Sequence, residues 1–126
     1  MRVTCDHIHL RSPDPDASAK TYVSFFDATV KSRTDTDERL RVIVDLGGLL
    51  LLIDRVPPQT QPAPPIPFVG IEHIGLQVAD VDAATEELRR KGAKILVEPN
   101  SPRPDIRIAF VEGPDAVRIE LLQRAG

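Results

Sequence analysis

With a single cysteine in 126 residues, Cys5, the chain cannot close an internal disulfide, which fits a reducing compartment. There is no tryptophan, and the aromatics are Tyr22, Phe25, Phe26, Phe68 and Phe110 alone. So thin a set excludes a surface that works by stacking bases or sugars. The net charge of −3 is the wrong sign for a nucleic-acid binder, which carries a basic stripe. No apolar run approaches the ~18–20 residues of a membrane span. The longest block, residues 49–53, is strand-sized. The opening residues lack the basic-then-apolar pattern of a leader, so a cytoplasmic location is expected. These exclusions leave an ordinary globular composition, 28% charged and 41% hydrophobic, in a length that fits one compact domain.

Proline is the abundant exception, at 12 residues, five of them between Pro57 and Pro65. Proline lacks the backbone donor and favours an extended path, so residues 56–69 read as a stiff linker. The linker divides the chain into a first module, residues 1–55, and a second, residues 70–126. In the first, a strand is expected over 2–11 with Val3, Ile8 and Leu10 as its apolar members. Asp14, Pro15 and Asp16 signal a helix start. Ala19, Tyr22, Val23 and Phe26 then recur at helical spacing. Strands follow over 29–36, 39–46 and 49–55, the last two joined by a turn at Gly47-Gly48.

The second module repeats this order. Ile74, Leu76 and Val78 alternate with His73, Gly75 and Gln77 in the period-two pattern of a half-buried strand over 71–78. Asp80 opens a helix with the apolar stripe Val81, Ala84 and Leu88, and Gly92 ends it. Strands are expected over 93–98, 106–112 and 116–123, with a proline-broken loop over 99–105. The modules register at an offset of 66, which places His7 on His73, Asp14 on Asp80 and Arg41 on Arg107. The last strands register at 69, which sets Leu51 against Glu120. The expected fold is therefore α+β: two βαβββ modules forming a cupped mixed sheet with the helices on its outer face.

Residues two apart on a strand share a face. With Ile8 and Leu10 turned to the core, Cys5, His7, His9 and Arg11 share the opposite face of the first strand. With Ile119 and Leu121 inward, Arg118 and Glu120 share the opposite face of the last. His73 and Gln77 do the same on the first strand of the second module. A lone histidine on such a face is ordinarily just solvated. Two of only three histidines at matched repeat positions point to chemistry instead. If the face curls into a cup, His7, His73 and Glu120 converge as two imidazoles and a carboxylate, a set suited to Fe(II), Mn or Zn with positions left for water or substrate. His9 shares the face and titrates near neutral pH when unperturbed, which makes it the candidate general acid or base. Arg11 and Arg118 are candidate partners for an anionic substrate group, and Gln77 a weaker one.

Three motifs carry a resemblance: Asp6-His7-Ile8-His9-Leu10, the run from Glu72-His73-Ile74-Gly75-Leu76 to Asp80, and Arg118-Ile119-Glu120-Leu121-Leu122. With them the chain resembles the vicinal oxygen chelate superfamily, which includes glyoxalase I, fosfomycin-resistance transferases, bleomycin-resistance proteins and extradiol dioxygenases. The resemblance implies a divalent metal, Fe(II), Mn, Ni or Zn, on His7, His73 and Glu120. It also implies a small-molecule substrate with adjacent oxygens, and a homodimer. The expected activity is a metal-dependent glyoxalase-like lyase, isomerase or transferase. The alternatives are Fe(II) ring cleavage and metal-free ligand sequestration. Glyoxalase I has a carboxylate where the repeat places Leu51, and leucine can neither ligate a metal nor move a proton.

Overall fold

The computed structural model describes residues 1–125, and the chain divides into two compact units, Met1–Pro62 and Ala63–Gly126. The first unit runs β1 (His7–Ser12), α1 (Pro15–Phe26), β2 (Thr29–Asp35), β3 (Leu40–Leu46) and β4 (Leu49–Arg55). Its four strands form one mixed sheet in the order β1-β4-β3-β2, with β1 parallel to β4 and the other pairs antiparallel. The Asp14 side chain accepts a hydrogen bond from the Ala17 amide, and Pro15 takes the first helical turn, where its missing donor costs nothing. Asp16, next along, receives a two-pronged bond from Arg33 and so ties the helix start to β2. Strict alternation buries Leu40, Val42, Val44 and Leu46 of β3, together with Leu51 and Ile53 of β4, against Ala19 and Tyr22 of the helix. This core leaves the other sheet face to polar and half-buried side chains.

The second unit has the same plan: β5 (Ile74–Gln77), α2 (Val81–Arg90), β6 (Ile95–Arg103), β7 (Ile106–Glu112) and β8 (Arg118–Arg124). The sheet order is β5-β8-β7-β6, again with one parallel pair, β5 on β8. Asp80 caps α2 as Asp14 caps α1, and Asp82 takes the bonds of Arg107 as Asp16 takes those of Arg33. At the far end Gly92, with φ +89°, closes the helix. Its amide reaches Arg89 and that of Ala93 reaches Leu88, which satisfies the last carbonyls. Val81 and Leu88 are buried with Ala109, Val111, Ile119 and Leu121. The α+β plan with two βαβββ modules, each with its helix packed on its own sheet, is therefore as expected.

Three local expectations are corrected. β1 starts at His7 and β5 at Ile74, later than the apolar pattern implied, because residues 1–6 and 71–73 join no ladder. β6 runs through Pro99 and Pro102 to Arg103, where a loop was expected. As the sheet's edge strand it has no partner on one side, and its pairing with β7 slips at three places, so both prolines are accommodated. The repeat offset is not constant either. Ile8 lies opposite Leu51 and Ile74 opposite Ile119, so the last strands match at 68 residues (51 to 119), not 69. By the same pairing β3 and β7 match at 67 (44 to 111). Leu52, not Leu51, is thus the counterpart of Glu120. Arg107, counted as the counterpart of Arg41, instead points to the helix side of its sheet and bonds Asp82.

The register makes a direct stability test. Leu51 is fully buried and Leu52 only partly so. Urea unfolding of Leu51→Ala should show a loss of ~2–5 kcal/mol, the usual cost of a large-to-small core change. Leu52→Ala should lose less than half as much.

Candidate functional site

In the second unit the site is built on the face of the sheet away from α2. His73 stands one residue ahead of β5, and its Nε2 lies 3.8 Å from Oε1 of Glu120 on the neighbouring β8. Gly75 is the residue directly across from Glu120, and a Cβ there would stand 3.5 Å from the same Oε1. That is ordinary van der Waals contact, so the carboxylate lies directly against the Gly75 backbone. Nδ1 of His73 lies 3.0 Å from Oε1 of Glu72, and that oxygen also accepts a 3.0 Å bond from Nε of Arg118. The Arg118 guanidinium sits over the Phe110 ring at 4.7 Å, and the same ring meets His73 edge-on at 5.1 Å. Glu72, His73, Phe110 and Arg118 thus form a closed set of contacts. The bond to His73, reinforced by Arg118, holds the Glu72 carboxyl below the usual range against the opposing effect of desolvation. Glu120 itself is only 19% exposed at the side chain.

The first unit carries a different cluster on the corresponding face. Nδ1 of His7 lies 2.7 Å from Oδ2 of Asp6, the same arrangement as His73 with Glu72. His9 occupies the position that Gly75 holds in the second unit, and its Nε2 lies 2.8 Å from Oδ2 of Asp54. Arg41 donates to both oxygens of that carboxylate, at 2.7 and 2.8 Å. The Arg41 bonds, with that of His9, hold the Asp54 pKa down at about 2 in spite of partial desolvation.

Of the predicted site residues, His73 and Glu120 are brought side by side, and Arg118 is joined to them through Glu72. His7 belongs to the other unit. Among the described residues no group of three or more His, Cys, Asp or Glu side chains is gathered as a metal-holding cluster. Arg11 is exposed beside Asp54 in the β1–β4 ladder, Gln77 is exposed at the end of β5, and Cys5 is a free, exposed thiol. Sequence reasoning missed Asp6, Glu72, Asp54, Arg41 and Phe110. The acidic residue ahead of each matched histidine was a visible signal in the repeat. The partnership of Asp54 with His9, 45 residues apart, required the register.

Comparison with known proteins agrees with this architecture. The model of the Glyoxalase/Bleomycin resistance protein/Dioxygenase superfamily matches residues 4–121, and the chain belongs to that family. A curated relative, a probable lactoylglutathione lyase from Synechocystis sp., is 42% identical over 55 residues. That match covers 43% of this chain and 42% of the relative, so the matched stretch spans under half of either. Among solved structures, a glyoxylase/bleomycin resistance protein/dioxygenase domain from Frankia sp. superposes with a TM-score of 0.80 at 20% identity, over 98% of this chain and 99% of that one. The fosfomycin resistance protein FosX from Listeria monocytogenes, complexed with Mn(II) and sulfate, gives 0.73 at 18% identity, over 98% and 93%. Identities this low speak for the fold.

The Asp54 cluster predicts an acid limb in stability. A carboxyl whose folded pKa is depressed from 3.8 to about 2 adds stability above its unfolded value, and that stability is lost as pH falls toward the folded value. Asp54→Asn should therefore cost on the order of 1–2 kcal/mol near neutral pH, after discounting for solvent contact, and little below pH ~2. Thermal unfolding between pH 2 and pH 7 reads both.

Proposed function

We propose that the protein is a divalent-metal-dependent, glyoxalase-like enzyme acting on a small substrate with two adjacent oxygens. The observation that carries the reading is the pairing of His73 Nε2 with the Glu120 carboxylate, 3.8 Å apart on one sheet face, with Gly75 directly across the ladder from Glu120. An imidazole nitrogen and a carboxylate oxygen side by side are a donor set that suits Mn, Fe(II), Ni or Zn, and His7 is the third ligand in this reading. When bound, the ion supplies Lewis-acid stabilisation of charge developing on the substrate oxygens.

The chain's own groups would do the rest. Leu52 stands where its counterpart in the second unit is Glu120, so that position can neither ligate nor move a proton. Proton transfer then falls to His9. Its Nε2 is committed to Asp54, which leaves Nδ1 as the ring nitrogen open to substrate. Asp54 is itself clamped by Arg41, so the ring has one orientation rather than several. In this reading Arg118, held by Glu72 and laid over Phe110, meets an anionic part of the substrate, with Arg11 and Gln77 as further contacts. We also assign the working form as a cytoplasmic homodimer. The edge strand β2 is exposed along its whole length and offers an unpaired backbone.

Metal content decides the reading. Protein reconstituted with Fe(II), Mn, Ni or Zn should retain about one ion per chain after desalting. His7→Ala, His73→Ala and Glu120→Ala should each lose most of it, along with turnover of a hemithioacetal of an α-ketoaldehyde. Absence of metal from the unsubstituted protein after all four reconstitutions would refute the enzyme assignment, and turnover of catechols with O₂ uptake would replace it by ring cleavage. Sedimentation velocity at micromolar concentration should give the mass of two chains; a monomer there rejects the dimer.

A further inference from the structure

We infer that Asp6 and Glu72 are positioning carboxylates, which keep the proton of His7 and His73 on Nδ1 and leave Nε2 of each ring as the nitrogen free to ligate, beside Glu120 in the case of His73; the inference rests on the metal reading above. An ionised carboxylate only accepts hydrogen bonds, so the ring nitrogen facing it must be the one that carries hydrogen. In both units that nitrogen is Nδ1, at 2.7 Å from Asp6 and 3.0 Å from Glu72. For His73, the nitrogen left over is the one 3.8 Å from Glu120.

The arrangement is not a by-product of sequence adjacency. Neighbouring residues in a regular strand point to opposite faces, so their side chains do not meet. The bond forms here because Asp6 and Glu72 both precede the first residue of their ladders, where the chain is free to turn the carboxylate back. The third histidine supplies the internal contrast. His9 lies within β1 and is held through Nε2, by a carboxylate 45 residues away. The two histidines at matched repeat positions thus share one ring orientation, and the unmatched one has the other. A carboxylate on the far nitrogen fixes a ligand's tautomer and raises its basicity, which is worth ~10–100-fold in metal affinity.

The two positions are not equally braced. Glu72 is held by Arg118 as well as by His73, whereas Leu50 stands opposite His7, where the second unit has Arg118. The Asp6 side chain is 85% exposed. Glu72 should therefore contribute the larger share.

The test uses Zn(II) alone, titrated into metal-free protein against a competing chromophoric chelator. It is joined to long-range ¹H–¹⁵N imidazole spectra of the metal-free protein. Expected are Nδ1-protonated rings at His7 and His73 and an Nε2-protonated ring at His9. Zn(II) affinity should fall ~10–100-fold in Glu72→Ala and by less in Asp6→Ala. Glu72→Asp, which installs the acid used by the first unit, should regain most of the loss. The inference is overturned if His73 is Nε2-protonated in the unsubstituted protein. It is equally overturned if His73→Ala abolishes Zn(II) binding while both carboxylate variants bind normally. Unaltered Zn(II) binding in His73→Ala overturns the metal reading itself, and the inference with it.

Discussion

The second unit's site hangs on one backbone register. β5 lies parallel to β8 with Gly75 directly across from Glu120. Parallel pairing at that register sends Ile74, Ile119 and Leu121 to the helix side, where they are buried, and leaves Glu120 on the other face. A shift of one residue would exchange the faces and bury the carboxylate, which the apolar core would not tolerate. The hydrophobic core and the site are therefore fixed by the same alternation. Gly75 sits close beneath the carboxylate: a Cβ there would already be in van der Waals contact with Oε1 of Glu120, at 3.5 Å.

The duplication explains both the likeness of the two units and their divergence. Helix caps, the aspartates that anchor an arginine from the sheet, and the acid-histidine pairs at the sheet's first strand all recur. The face away from the helix differs at two adjacent points. Where the second unit has Gly75 and Glu120, the first has His9 and Leu52. Exchanging glycine for histidine fills the gap, and exchanging glutamate for leucine removes the charge that gap accommodated. Asp54, two residues beyond Leu52 on the same face, then supplies a carboxylate that Nε2 of His9 meets at 2.8 Å. The same fold thereby holds a ligand-like pair in one unit and a hydrogen-bonded acid-imidazole pair in the other.

The order of elements was legible because period-two and helical patterns alternate cleanly and occur twice. His73 and Glu120 were legible as neighbours because side-chain parity survives errors of a few residues at strand ends. Register was less accessible. The offset between repeats grows from 66 to 68 residues in single steps (7 to 73, 44 to 111, 51 to 119), and each added residue reverses parity. That is why Arg41 and Arg107, alike in sequence, face opposite sides of their sheets. The course of β6 was hidden by two prolines that only an edge strand with slipped pairing accepts. The bonds from Asp6 and Glu72 lay outside the reach of strand reasoning, which assigns adjacent residues to opposite faces.

Charge completes the account of the second unit. On the face around His73, Arg118 bonds Glu72, lies across the ladder from Glu112 and stands two residues from Glu120 on β8. Of the two carboxylates beside His73, Glu120 is the less exposed, at 19% of its side chain against 46% for Glu72. Desolvated like charges are costly unless a counter-charge is brought among them. Arg118 brings that counter-charge to Glu72 through its Nε. In the first unit the counter-charge falls on Asp54, which Arg41 clamps while Arg11 stands beside it in the ladder. The two units thus neutralise different carboxylates, Glu72 through Arg118 and Asp54 through Arg41.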